Sequence, residues 1–72
     1  MDSFGTLEGR QDYTIHGQLY ARLFFHIDGD PENIIQAQLP SDAFDTHLQI
    51  GDKIRITMLM RTVMEIRKVE ND

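Results

Sequence analysis

Cysteine is absent from the 72 residues, which excludes disulfides and thiolate metal sites and fits a reducing compartment. No glycine-rich phosphate loop is present, and Ser3 and Ser41 stand outside any nucleophile context. Covalent catalysis and nucleotide hydrolysis therefore have no foothold, no motif requires a cofactor, and the expectation is a chain that is not an enzyme. No apolar run approaches a membrane span, and Met1 to Thr6 provides neither a basic start nor a signal-length apolar segment. Cytoplasmic residence without membrane insertion is the expectation. Positive charge is scarce as well. The net charge of -5 opposes tight, purely electrostatic binding to nucleic acid, which depends on cations displacing counterions from phosphates.

The chain has room for one small core. Charge is unevenly spread along it: residues 1 to 52 carry nine acidic side chains against Arg10 and Arg22, whereas 53 to 72 carry Lys53, Arg55, Arg61, Arg67 and Lys68 against three acids. A local basic face on an acidic protein is one reading, and solubility of an outward strand face is the other.

Hydrophobic alternation identifies the elements. Leu7, Tyr13 and Ile15 suit a first strand over Thr6 to His16, with Gly9 a candidate bulge and His16-Gly17 a turn. The clearest strand follows, with Leu19, Ala21, Leu23, Phe25 and Ile27 on an inward face and Tyr20, Arg22, Phe24 and His26 on the other. Turn formers from Asp28 to Asn33 lead into a third strand, Ile34 to Leu39. Pro40 stops it, and Ser41 is the expected N-cap of a short helix, with Asp42 and Asp45 near its positive end and Phe44 and Leu48 on one face. Gly51, free to take positive φ, and Asp52, able to bond its own turn, introduce a fourth strand from Lys53 to about Met60. Arg61-Thr62 turns the chain into a fifth strand, Val63 to Val69, whose broken alternation predicts a bulge or burial on both sides. The fold class is all-β with one short helix, in the order β-β-β-α-β-β of a five-stranded OB-like barrel. Residues 6–69 form the single domain, with flexible ends at 1–5 and 70–72.

The segment Ile35-Gln36-Ala37-Gln38-Leu39-Pro40, followed by Leu48-Gln49-Ile50-Gly51-Asp52-Lys53-Ile54-Arg55-Ile56 and the strand Thr62-Val63-Met64-Glu65-Ile66, resembles the TOBE domain, the transport-associated OB-like module. The resemblance spans about residues 7 to 69 and rests on hydrophobic spacing and the Gly-Asp turn. It implies a small binding or regulatory module working with a transport ATPase or a second copy of itself, and, in molybdate-binding members, oxyanion binding. Those members carry a Ser-Ala-Arg-Asn-like segment where this chain has Thr6-Leu7-Glu8-Gly9-Arg10. The late Gly-Asp-Lys turn is also similar to that of single-domain OB proteins and S1-type domains that bind RNA, which are usually more basic.

The candidate binding face is Tyr20, Arg22, Phe24 and His26, joined by Ile34 and Gln36 and by Lys53 and Arg55. Two rings, a guanidinium and an imidazole on one strand face suit base stacking and phosphate contact. Tyr20 as ordinary strand packing and Phe24 covered by a terminus or a second subunit are the structural alternatives, and Ile34 adds weight to a protein interface. The leading expectation is a non-catalytic module docking to a protein partner or forming a homodimer; single-stranded nucleic acid and a small oxyanion are the second and third. No metal site is expected. Asp28, Asp30 and Glu32 match only the opening of a calcium loop, which Pro31 interrupts, and His16, His26 and His47 have no ligand spacing. Met58, Met60 and Met64 read as fillers of an irregular core or a flexible interface.

Overall fold

The computed structural model describes residues 2–70. Met1 of the expected flexible N-terminus and residues 71 and 72 of the expected flexible C-terminus lie outside the described residues. Five strands follow one another as β1 (Asp2–Ile15), β2 (Gln18–Ile27), β3 (Ile35–Pro40), β4 (Lys53–Leu59) and β5 (Thr62–Lys68). They form one antiparallel sheet in the order β3-β2-β1-β4-β5. No described helix is long and apolar enough to cross a membrane.

The alternation in β2 sets its faces as the sequence predicts. Ala21, Leu23 and Phe25 are buried, and they meet Leu39, Ala37 and Ile35 across the β2–β3 ladder. Leu7 of β1, Ile54 and Ile56 of β4 and Ile66 of β5 complete the centre of the core. Tight turns join the hairpins. His16 and Gly17 both take positive φ, 51° and 80°, the geometry whose twist matches a two-residue hairpin. At the β4–β5 hairpin the turn lies at Met60 and Arg61, one residue earlier than expected, with Met60 at φ 57° and Thr62 already paired with Leu59. A bulge interrupts β5 as predicted: Thr57 faces Glu65 and Met58 faces Val63, leaving Met64 as the extra residue. Gly51 has φ 95°, and the Asp52 carboxylate accepts the Gln49 N–H at 2.9 Å. That turn is seated on β1, because Leu7 donates to the Asp52 carbonyl while its own carbonyl accepts from Gly51.

Two expectations are corrected and a third is met in part. Residues 2 to 5 are not a loose end: Asp2, Ser3, Phe4 and Gly5 pair with Thr57, Ile56, Arg55 and Ile54. Backbone pairing to β4, rather than any apolar pattern of their own, orders them. The short helix is a single 3₁₀ turn, Ser41–Ala43, with Pro40 at the N-cap position and no side-chain cap, so Ser41 does not cap it. Phe44 returns at once to extended backbone and forms a parallel bridge with Ile66. Burying that ring, 1% exposed, outweighs continuing the helix. Asp42 and Asp45 consequently serve no helix dipole; the Asp45 carboxylate accepts from Arg67 and from the Lys68 N–H. Third, β3 and β5 are the outer strands, and among the described residues no ladder joins them, so the sheet stops short of closing.

Gly5 lies in the middle of the sheet, paired to Ile27 on one side and Ile54 on the other. A β-carbon there would overlap the backbone carbonyl of His26, whereas one at Gly9 would meet only the Phe24 ring, at 3.3 Å. Gly5→Ala should lower unfolding free energy by about 3 kcal/mol, the upper end for forcing atoms into a packed site. Gly9→Ala should cost clearly less; urea midpoints of the two variants check the order.

Candidate docking face on the outer side of the sheet

One irregularity positions this face. Leu7 pairs with Phe25, but the next pair is Gly9 with Phe24, so Glu8 is an extra residue on β1. A bulge of this kind reverses which side of the strand each later side chain occupies. Beyond it Gly9, Gln11 and Tyr13 stand opposite Phe24, Arg22 and Tyr20 on the outer face, and Arg10 turns inward opposite Leu23.

The outer face is built accordingly. Tyr13 and Tyr20 stack with centroids 5.7 Å apart and planes 14° from parallel. The Tyr20 hydroxyl donates to the Gln18 amide oxygen at 3.1 Å. The Arg22 guanidinium lies 5.9 Å from the Tyr13 centroid and donates through Nη1 to Gln11 Oε1 at 3.1 Å. Its Nε is buried without a hydrogen-bond partner among the described residues. The Phe24 ring covers Gly9, an aromatic compensation for a strand glycine. From β3, Gln36 and Gln38 stand opposite Phe24 and Arg22.

Five of the eight residues singled out in the sequence, Tyr20, Arg22, Phe24, His26 and Gln36, thus fall on one continuous face across β2 and β3. His26 is engaged, its Nδ1 against the Glu8 carboxylate that the bulge places beside it. Ile34 precedes β3 and is half exposed. Lys53 lies across β1, in the row His26, Thr6, Lys53, and Arg55 stands opposite Phe4. Both are held by carboxylates, Lys53 by Asp28 and Arg55 by Asp2 at 4.0 Å. Tyr13, Gln11 and Gly9 belong to the face although Tyr13 and Ile15 read as ordinary strand positions. The signal was Gly9: a bulge there carries the parity change with it.

The inward Arg10 has a structural task. Its Nη1 donates to the carbonyls of Thr46 and Leu48, both at 2.9 Å, its guanidinium lies 5.3 Å from the Phe44 centroid, and Asp12 accepts from Nε and Nη2. It thereby fixes the loop between the 3₁₀ turn and β4. The hydrogen bond from Arg10, with its charge, holds the Asp12 carboxyl below its ordinary pKa. At the far end of the loop Glu65 and Asp45 stabilise the charged form of Arg67.

Among the described residues, Arg10, Lys53, Arg55, Arg67 and Lys68 all have carboxylate partners, which leaves Arg22 and Arg61 of the seven cations without one. Asp28, a turn former in the sequence reading, is thus one of those partners. Among the described residues no three His, Asp or Glu side chains gather to hold a metal ion. A hollow of about 560 Å³ lies at the Pro40 end of the face between 17–19 and 40–42, with Asp42 its one ionisable side chain. No protein-family model, no curated protein and no solved structure matches the chain.

Because the folded state lowers the Asp12 pKa, its contribution to stability is present above the ordinary aspartate value of 3.8 and is lost as pH falls through the lowered value. The pair is open to solvent, so the contribution stays below about 1 kcal/mol. Melting curves of the wild type and Asp12→Asn should accordingly differ at neutral pH and converge in acid. Arg10→Met, which strands two loop carbonyls, should cost more, about 1 to 3 kcal/mol.

Proposed function

We propose that the chain is a non-catalytic docking module, similar to a stand-alone TOBE domain, whose outer face binds another polypeptide. The observation that carries this reading is the ledge of Tyr13, Tyr20, Arg22 and Phe24. It is three aromatic rings and a guanidinium, all partly exposed on the outer face of the sheet, the residue types that dominate protein interfaces. The strand order, with the two edge strands facing one another, supports the finer reading of a partly open OB-like barrel, whose second and third strands form the usual binding surface.

Charge favours protein over nucleic acid. Binding to phosphates draws on free cations, and five of seven here are already neutralised by carboxylates within the fold. The aromatic stack with Arg22 beside it supports a second reading, single-stranded nucleic acid, in which bases stack on Tyr20 and Phe24.

The test is an amide NMR dilution series followed by titration with mixed single-stranded RNA at two salt concentrations. If the partner is a second copy of the chain, the docking reading predicts shifts on dilution at residues 11–13 and 20–24, insensitive to salt, and their loss in Phe24→Glu. Tyr20→Ser should weaken the association by about 2 kcal/mol. Salt-dependent shifts with RNA at those positions would replace it with the nucleic-acid reading, and no response to either would remove self-association.

A further inference from the structure

A second surface, separate from the aromatic face, lies where the sheet fails to close. Each neighbouring pair of strands is antiparallel, so β3 and β5, the two edges, run in the same direction. One half of the seam between them is sealed. Phe44 bridges to Ile66, the Asp45 carboxylate accepts the Lys68 N–H at 2.7 Å, and Arg67 donates to Asp45 and to the Asp42 carbonyl. The other half is a cleft of about 320 Å³ between 35–38 of β3 and 61–63 at the start of β5. Its floor is apolar: Ala37 is core, and Ile35, Met58 and Val63 pack against the core while remaining partly exposed.

The distribution of charge along β5 follows this division. Glu65, Arg67 and Lys68 all lie in the sealed half, whereas Thr62, Val63 and Met64 in the open half carry no charge. Sheet edges are ordinarily guarded by charge or cover where they are free to pair. Here the free part is the unguarded part. Ile34, Leu59, Met60 and Met64 are exposed at the same end of the sheet, from 48% to 94%. At the mouth stands Arg61, which has no carboxylate partner among the described residues.

We infer that the open half of the β3–β5 seam binds an extended segment of a partner polypeptide, antiparallel to both edges, with apolar side chains against Ala37 and Val63 and a carboxylate facing Arg61. Parallel edges allow one inserted strand to be antiparallel to both, the more stable pairing. Four residues along β3 give about 13 Å of ladder.

The probe is a phage-displayed library of random seven-residue peptides selected on the intact chain. Selected peptides are then titrated into the labelled protein and located by amide shifts and slowed amide exchange. Peptides that alternate apolar residues with Asp or Glu, protect residues 35–38 and 62–64, and bind at least tenfold more weakly to Arg61→Glu are the expected result. Arg61 is an exposed turn residue, so this variant keeps the fold; an unchanged amide spectrum outside the turn verifies it. No enrichment, affinity indifferent to Arg61→Glu, or shifts at the seam on dilution without peptide would overturn the proposal. Peptides located on residues 11–13 and 20–24 would overturn it while leaving the docking reading of the aromatic face intact.

Discussion

Between the paired residues Leu7–Phe25 and Gly9–Phe24, β1 contains one residue more than β2, and two otherwise unrelated parts of the molecule depend on that extra residue. In an unbroken ladder Arg10, Asp12 and Thr14 would point outward with Glu8, while Gly9, Gln11 and Tyr13 would continue the inward row begun by Leu7. The bulge exchanges the two sets. Tyr13 reaches the outer face to stack on Tyr20, and Arg10 reaches beneath the sheet to hold the carbonyls of Thr46 and Leu48. Glycine at position 9 makes the exchange workable from both sides. It accommodates the bend, and its missing side chain leaves the Phe24 ring a surface to lie on. The aromatic face and the loop that introduces β4 are thus two consequences of one backbone event.

Local pattern was enough wherever an element is defined by its own residues. Period-two alternation from Leu19 to Ile27 identified the buried row, and His16-Gly17 and Gly51-Asp52 announced turns that need positive φ. The irregular spacing of Val63, Met64 and Ile66 announced the β5 bulge. What could not be read locally depends on distant partners. Asp2 to Gly5 carries no strand pattern and is ordered by β4 some fifty residues away. The 3₁₀ turn is cut short because Phe44 has a place in the core beside Ile66, a contact invisible in the capping residues. Gly9 was legible as a bulge, but the identity of its neighbours on the face required carrying the parity change through to Tyr13.

Ion pairing shows the same dependence on distance and changes the meaning of the composition. A cation-rich C-terminal third beside an acidic N-terminal part reads as a latent basic face. In the fold the two halves neutralise one another across long separations: Lys53 with Asp28, Arg55 with Asp2, Arg67 with Asp45. These exposed pairs contribute little stability individually. Their effect is on recognition, because among the described residues the arginines and lysines without a carboxylate partner are Arg22, half-buried beside Tyr13, and Arg61, at a hairpin turn. A surface so neutralised offers short-range contacts rather than a field that attracts polyanions.

The two unneutralised arginines mark two places where the fold leaves its own interactions incomplete, in different ways. Around Arg22 the backbone is fully laddered, with β1 on one side of β2 and β3 on the other, and what is available is side-chain surface. Around Arg61 no ladder joins β3 to β5 among the described residues, and what is available is the two strand edges above an apolar floor of Ile35, Ala37 and Val63. Seating Asp45 on the Lys68 N–H and Phe44 on Ile66 closes the seam where β5 is charged and leaves it open where β5 is apolar. A chain this small has little hydrophobic surface to leave uncovered without loss of stability. Val63 and Ile35 nevertheless stay partly exposed on that seam while packed against the core, the arrangement expected of an edge that is completed by another chain.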